Sequence, residues 1–200
     1  ISRRLADLDP GNADWQRGLA FAHNCVGDVL QTQGQLDAAL RAFTEDLAIS
    51  RRLADLDPGN ADWQRDLAFA HNRVGGVLQT QGQLDAALRA FTEALAISRR
   101  LADLDPGNAD WQRDLAFAHN RVGGVLQTQG QLDAALRAFT EALAISRRLA
   151  DLDPGNATWQ RGLAVAYNRV GSVLEAQGQL DAALHAFTEA LAISRRLADL

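Results

Sequence analysis

The chain has 200 residues, of which 47% are hydrophobic and 6% aromatic, and its formal net charge is −5. Alanine and leucine dominate the hydrophobic residues, and both favour helix. No apolar run approaches the roughly 20 residues that span a membrane, so we expect no membrane partner. The acidic balance disfavours nucleic acid as a partner. A single cysteine and the lack of a secretion-signal pattern predict a cytoplasmic location.

One segment of 48 residues recurs along the chain. The string ISRRLADLDPGN begins at Ile1, Ile49, Ile97 and Ile145. Copies two and three, residues 49–96 and 97–144, are identical. Copy one departs from them only at Gly18, Cys25, Asp28 and Asp46. Copy four departs at Thr158, Gly162, Val165, Tyr167, Ser172, Glu175, Ala176 and His185. Such self-similarity is the signature of a repeat architecture, and a start inside a repeat suggests an excerpt of a longer protein.

The first half of each copy predicts a helix, helix A. In copy two it follows the turn Asp57-Pro58-Gly59-Asn60, with Asn60 as its N-cap, and runs from about Ala61 to Gln81. Its apolar residues recur at i, i+4, i+7, i+11, i+14 and i+15, namely Trp63, Leu67, Ala70, Val74, Val77 and Leu78. This spacing places them on one face of an α-helix.

The second half of each copy predicts helix B. It begins after Gly82 and runs from about Leu84 to Leu104. Its apolar face is wide, formed by Leu84, Ala87, Leu88, Phe91, Ala94, Leu95, Ser98 and Leu101 with Ala86, Ala90 and Ile97 beside them. A helix with such a face can contact more than one neighbour, as a stack of hairpins requires.

The spacing within each copy resembles the tetratricopeptide repeat. The pattern in copy two is Ala70, Val74-Gly75, Leu78, Gly82, Ala87, Phe91 and Ala94-Leu95, with a late proline at Pro106. The 14 residues beyond the family's 34 lengthen both helices by about two turns at the same end of the hairpin. In this the chain is similar to the longer kinesin-light-chain-like repeats. The resemblance implies an all-α fold, an α-solenoid forming a right-handed superhelix of antiparallel helical hairpins.

The repeat boundaries follow from the same pattern. We expect one repeat domain, in which residues 1–8 are the tail of a preceding helix B. The four repeats are then predicted at residues 13–56, 61–104, 109–152 and 157–200.

Glycine in the middle of helix A is unfavourable by about 1 kcal/mol relative to alanine. The position recurs in every copy, as Gly27, Gly75, Gly123 and Gly171, and we interpret it as a point of close helix packing. The next position is variable, occupied by Asp28, Gly76, Gly124 and Ser172. It is therefore expected to lie open on the inner, concave side of helix A.

Counting helical turns from Gly76 defines one face of helix A, formed by Arg65, Phe69, Asn72, Gly76, Gln79 and Thr80. The resemblance implies that this face lines a ligand groove. Amides could hydrogen-bond an extended peptide backbone, and arginines could bind its carboxylates. The predicted peptide-binding residues are Asn24, Asn72, Asn120, Asn168, Arg17, Arg65, Arg113, Arg161, Gln31, Gln79 and Gln127. The alternative is a solvated face without a ligand.

Other recurring residues have structural interpretations. The tryptophans Trp15, Trp63, Trp111 and Trp159 share the phase of the apolar face, so we expect them to pack on the extended end of helix B. The histidine that recurs as His71 becomes Tyr167 in copy four, which indicates a half-buried aromatic position. Histidines that occur once per repeat lack a second ligand at i+4, so no metal is expected. Cys25 is interpreted as a neutral variant of Arg73.

No motif predicts an enzyme or a cofactor. The chain has no lysine for a phosphate loop, and its serines lack a histidine on the same repeat face. The leading hypothesis is a protein–protein interaction scaffold that binds a peptide or partner segment in the groove lined by helix A. The alternatives are a structural, self-associating array and a regulatory sensor arm of a larger multidomain protein. Uncapped terminal helices predict end-to-end self-association.

Overall fold

A computed structural model of the chain describes residues 11–199. Within them lie eight helices and no strand. The A helices are α1 (Ala13–Thr32), α3 (Ala61–Thr80), α5 (Ala109–Thr128) and α7 (Ala157–Ala176). The B helices are α2 (Leu36–Leu56), α4 (Leu84–Leu104), α6 (Leu132–Leu152) and α8 (Leu180–Ala198). The expected helices of copy two are confirmed to within one residue, whereas the expected helix tail at residues 1–8 lies outside the described residues.

Asparagine starts every A helix for a local reason. The first backbone N–H groups of a helix have no partner in the preceding turn, and a short side-chain oxygen can accept from them. The Oδ1 atom of Asn60 accepts from the backbone N–H of Trp63 at 3.1 Å. Asn12, Asn108 and Asn156 make the same bond to Trp15, Trp111 and Trp159.

Glycine allows the short turn from helix A to helix B. Gly82 has φ of +75°, in the left-handed region that residues with a Cβ avoid. The backbone N–H of Gln83 donates to the carbonyl of Leu78 at 2.9 Å, which closes the end of α3. The next helix begins two residues after Gly82, so α3 and α4 run antiparallel as a hairpin.

The chain divides into two compact units, Ile1–Ile97 and Ser98–Leu200, with the boundary inside α4. In the first unit α2 packs against α1 and α3, and Phe43 is fully buried among Ala39, Val77 and neighbouring leucines. In the second unit α7 packs against both α6 and α8, and Phe139 occupies the same kind of site beside Val173. Both units therefore consist of stacked helical hairpins, and the fold is all-α, of the α-solenoid class.

The mid-helix glycines lie directly against these buried rings. A Cβ built on Gly123 would be 2.7 Å from Cε1 of Phe139, and one on Gly27 would be 2.5 Å from Cε1 of Phe43. The interpretation of this position as close helix packing is confirmed. The packing is between a helix backbone and the phenyl ring of its hairpin partner.

Candidate binding surface on the A helices

The first unit contains a concavity of about 730 Å³ between α1, α2 and α3. We call it the copy-one concavity. Helix α1 contributes Asp14, Arg17, Gly18, Ala20, Phe21, Asn24, Cys25 and Asp28; α2 contributes Asp46 and Ser50; α3 contributes Asp66, Phe69 and Arg73. Its wall combines two phenyl rings with four carboxylates and two guanidinium groups.

Two ion pairs join the A helices across this concavity. The Nε atom of Arg17 lies 2.6 Å from Oδ2 of Asp66, and the Nη1 atom of Arg73 lies 2.9 Å from Oδ1 of Asp28. The hydrogen bond and charge of Asp66 raise the pKa of Arg17 against the opposing effect of burial. Both arginines in the wall are thus already paired with a carboxylate.

Asp46 is the most buried acidic group of the wall. It is 5% exposed, and its carboxylate accepts from Nδ2 of Asn24 at 3.2 Å and from Oγ of Ser50 at 3.1 Å. Burial raises the pKa of the Asp46 carboxyl, and these two hydrogen bonds oppose the rise. The other copies have alanine at this position, Ala94, Ala142 and Ala190, each almost fully buried.

In copies two and three an arginine covers the phenylalanine of its own helix. The guanidinium carbon of Arg73 lies 4.8 Å from the ring centroid of Phe69, and that of Arg121 lies 5.9 Å from Phe117. Arg73 also lies 5.6 Å from the ring of Phe43. Copy one has Cys25 at this position, and its phenylalanine, Phe21, is 71% exposed.

The asparagines predicted to bind peptide lie in different environments. Asn24 is buried and bonded to Asp46, whereas Asn168 is exposed. Nδ2 of Asn72 donates to the carbonyl of Ala68, one turn earlier in α3. Within the described residues, the Oδ1 atoms of Asn72 and Asn120 are buried and accept no hydrogen bond. Asn72 and Asn120 thus retain an unused acceptor.

The predicted arginines and glutamines are partly committed to neighbours. Arg113 pairs with Asp110 at 3.0 Å, in the first turn of its own helix, and Arg161 is exposed. Arg65, Gln31 and Gln79 are half-buried. Nε2 of Gln127 donates to Oγ of Ser172 at 3.1 Å. The role of all these residues in peptide binding stays a prediction.

The recurring aromatic and histidine positions belong to the packing. Trp63 packs on Ile49 and Leu53 of α2, which confirms the expected contact with the extended end of helix B. His71 and His119 are 5% exposed, and burial is the main cause that lowers their pKa. Tyr167 is also buried, and its hydroxyl is a partner of Arg147.

The predicted peptide-binding residues did not include Phe21, Cys25, Asp28 or Asp46, although the positions of Phe21 and Asp28 were expected on the inner face of helix A, and Cys25 was interpreted as neutral. The available signal was the list of departures of copy one. Gly18, Cys25 and Asp28 are spaced i, i+7 and i+10, which places them on one face of a helix. The position of Asp46 beside them depends on how α2 packs on α1.

Two features are absent from residues 11–199. None of their helices is long and apolar enough to cross a bilayer. No group of three or more His, Cys, Asp or Glu side chains in this range could hold a metal ion.

Comparison with solved structures defines the class of protein. The chain superposes on MamA with a TM-score of 0.57 at 20% identity, covering 100% of the chain and 88% of MamA. It matches apo RapI at 0.71 and 16% identity, covering 90% of the chain and only 44% of RapI. It matches BtubC (BKLC) from P. vanneervenii at 0.61 and 16% identity, covering 100% of the chain and 87% of BtubC. At these identities the likeness shows the fold alone, that of helical repeat proteins.

Sequence models then give the family. One model of the tetratricopeptide repeat matches residues 114–196, and a second matches residues 72–106. The two ranges do not overlap and together include more than half of the chain. The chain belongs to the tetratricopeptide-like repeat proteins, and in that general sense it is a protein–protein interaction scaffold. No curated protein matches its sequence.

Proposed function

We propose that this protein binds an extended segment of a partner protein along the inner face of its A helices. The observation that carries the proposal is the copy-one concavity, about 730 Å³ in volume and formed by two consecutive A helices with the B helix between them. Small-ligand sites have volumes of this order, and a few polar groups among apolar walls fix the orientation of a ligand.

Exposed aromatic rings support a peptide as the ligand. Phe21 is 71% exposed, Phe69 49% and Phe117 52%, and all three occupy the same position of their A helices. Large exposed apolar groups at a regular position mark interaction surfaces more often than isolated ones do. Each ring also lies one helical turn before the asparagine that recurs at the same position of every A helix, here Asn24, Asn72 or Asn120.

The asparagine amides supply the complementary polar contact. Within the described residues, Oδ1 of Asn72 accepts no hydrogen bond, although Nδ2 of the same side chain is engaged. A buried acceptor without a donor is unfavourable by roughly 1–3 kcal/mol. Because this oxygen is buried, a peptide N–H would reach it only if the Asn72 side chain rotated towards the ligand; the new hydrogen bond would then remove that penalty without selecting a side chain of the peptide.

The test is selection of peptides from a displayed random library, followed by titration of the selected peptides against variants. Phe69→Ala and Asn72→Ala are expected to weaken binding about tenfold or more. Thr92→Ala, at an exposed residue of helix α4, is the control and is expected to change nothing. Peptides that bind both A-helix variants as tightly as the parent would contradict the proposal.

A second candidate, a self-associating array, rests on a different observation. Val26 and Val29 of α1 are 53% and 57% exposed, whereas their equivalents in α7, Val170 and Val173, are 9% and 0% exposed. In α7 these valines pack against α6, on Phe139 and the nearby leucines. Helix α1 thus presents a face that is buried elsewhere in the repeat.

Helix α8 presents the complementary face. Leu180, Leu184 and Leu191 are 65%, 66% and 48% exposed. Their equivalents in α6, Leu132, Leu136 and Leu143, pack against α7. Contact between α8 of one molecule and α1 of another would reproduce the packing of α6 on α7. A role as the regulatory arm of a larger protein stays a further proposal, which the sequence of flanking domains would test.

A further inference from the structure

All four departures of copy one line the same concavity. Gly18, Cys25 and Asp28 lie on α1 and Asp46 on α2, and each contributes to the wall of the copy-one concavity. Copies two and three are identical at all 48 positions, so variation in this array is confined to few places. The changes that distinguish copy one are therefore concentrated at one site.

One change leaves an aromatic ring without the cation that lies over it in copies two and three, and a second change removes a neighbouring side chain. In copy two the guanidinium of Arg73 lies 4.8 Å from the Phe69 centroid, a cation–π contact within helix α3. At the equivalent position copy one has Cys25, which is small and neutral. The Phe21 ring is accordingly more exposed, 71% against 49% for Phe69. Gly18 replaces the equivalent of Asp66 one turn before Phe21, which removes a further side chain from the wall.

The third change supplies a negative charge that no guanidinium of the wall neutralises. Arg17 pairs with Asp66, and Arg73 pairs with Asp28, the fourth change, at 2.9 Å. The donors to Asp46 are the neutral Asn24 amide and Ser50 hydroxyl, one on each carboxylate oxygen. Each oxygen can accept a second hydrogen bond. A carboxylate that is 5% exposed is unfavourable unless it is paired.

We propose that the copy-one concavity binds an arginine side chain of the partner segment, whose guanidinium stacks on the ring of Phe21 and donates to the carboxylate of Asp46. This inference rests on the proposed function and specifies its ligand. Arginine is favoured over lysine because a planar guanidinium can stack and donate two hydrogen bonds at once. The chain itself uses arginine in this way, as Arg73 over Phe69 with Asp28 as its acid.

The probes for the test are three sets of five-residue peptides with mixed flanking residues and a central arginine, lysine or glutamine. Binding is measured by fluorescence anisotropy of labelled peptides. A second readout uses Cys25, the only cysteine of the chain, which is exposed and lies in the wall. Because a bound side chain would cover this thiol, the arginine set is expected to slow its reaction with a maleimide, and the glutamine set is not.

Two variants test the site without emptying a packed core. Asp46→Asn keeps the shape and removes the charge. Cys25→Arg restores the arginine of the other copies, and the new side chain is expected to occupy the site from within the protein. Both variants are expected to weaken binding of the arginine peptides at least tenfold. The control is Glu175→Gln, which removes one negative charge from the other unit and restores the residue of copies two and three. Circular dichroism of each variant verifies that the helices are retained.

The outcomes separate this inference from the proposed function. Selective binding of the arginine set that both variants weaken supports the inference. Equal binding of the three sets, or binding that Asp46→Asn and Cys25→Arg leave unchanged, overturns the inference but retains a peptide-binding scaffold. Binding of the lysine set with equal or higher affinity overturns the choice of a guanidinium. If no set binds at millimolar concentration and a displayed library also selects nothing, both proposals fail.

Discussion

At the scale of single residues, Asp46 is a charged group at a buried position where a charge is unfavourable for stability. Its equivalents in the other copies are alanines with at most 2% exposure, which fit the hairpin interface without a polar group. Asp46 places a carboxylate there, and burial raises its pKa because the charged form loses its water. A residue that destabilises the fold at the edge of a binding surface is consistent with a functional role.

Asp46→Asn is expected to stabilise the protein at neutral pH, because the amide has no charged form that loses its water on burial. A raised acid pKa means that the folded state holds its proton more tightly than the unfolded state does. The free energy of unfolding of the parent therefore falls as pH rises from the ordinary value of 3.8 through the raised pKa of Asp46. The difference in free energy of unfolding between Asp46→Asn and the parent should be near zero at the acid end of this pH window and should reach its full value above it.

Urea unfolding at several pH values measures this difference. Glu45→Gln is the matched control, because Glu45 is the exposed neighbour of Asp46 on the same helix. A constant difference between parent and Asp46→Asn across the pH range would contradict the assigned cause.

At the scale of elements, comparison of two adjacent glycines of α5 distinguishes the effect of helix propensity from the effect of packing. Gly123 and Gly124 are adjacent residues in the middle of the helix, and alanine favours helix at both by about 1 kcal/mol. A Cβ at Gly123 would lie 2.7 Å from the buried ring of Phe139, whereas one at Gly124 has no atom within 4 Å. Only the contact between α5 and α6 distinguishes the two positions.

Gly123→Ala is expected to destabilise the protein by roughly 1–3 kcal/mol, because the ring must move within a packed interface. Gly124→Ala is expected to stabilise it by up to about 1 kcal/mol. Thermal and urea unfolding of the two variants, side by side, measure both effects. If both variants gained stability equally, the glycine at this position would not be required by packing.

The boundaries of the helices could be predicted from sequence because their causes are local. Asn60 caps the start of α3 through a hydrogen bond to a residue three positions later. Gly82, with a positive φ, forms the turn that follows the end of α3. The composition of the binding surface could not be predicted in this way. Whether Asn24 is an open amide or a buried partner of Asp46 depends on a contact between two helices, made by residues that are 22 apart in sequence.

At the scale of the whole molecule, the exposed faces of α1 and α8 predict head-to-tail self-association. The interface would be heterologous, with Val29 on one side and Leu184 on the other, so that each molecule can bind two others. Sedimentation velocity over a concentration series should show the parent growing beyond a monomer, and a parent that stays monomeric at hundreds of micromolar would exclude this association.

Single charge substitutions make the geometry of this assembly testable. Val29→Arg is expected to block the α1 face and Leu184→Arg the α8 face, so that each variant alone stays monomeric because every molecule lacks the same face. Each variant keeps the face that the other has lost, and an equimolar mixture should therefore form a heterodimer. Two variants that are both monomeric when mixed would argue against contact between these two faces.

The sequence by itself determined the 48-residue period, the eight helices within the described residues, their caps and the hairpin family. All of these follow from interactions within a few turns of helix or from direct repetition. Only the tertiary structure decided which side chains meet. Three departures of copy one share a face of α1, but Asp46 joins them through the packing of α2, and Arg73 through the packing of α3. A site made from three helices depends on distances through space, which spacing along one helix does not contain.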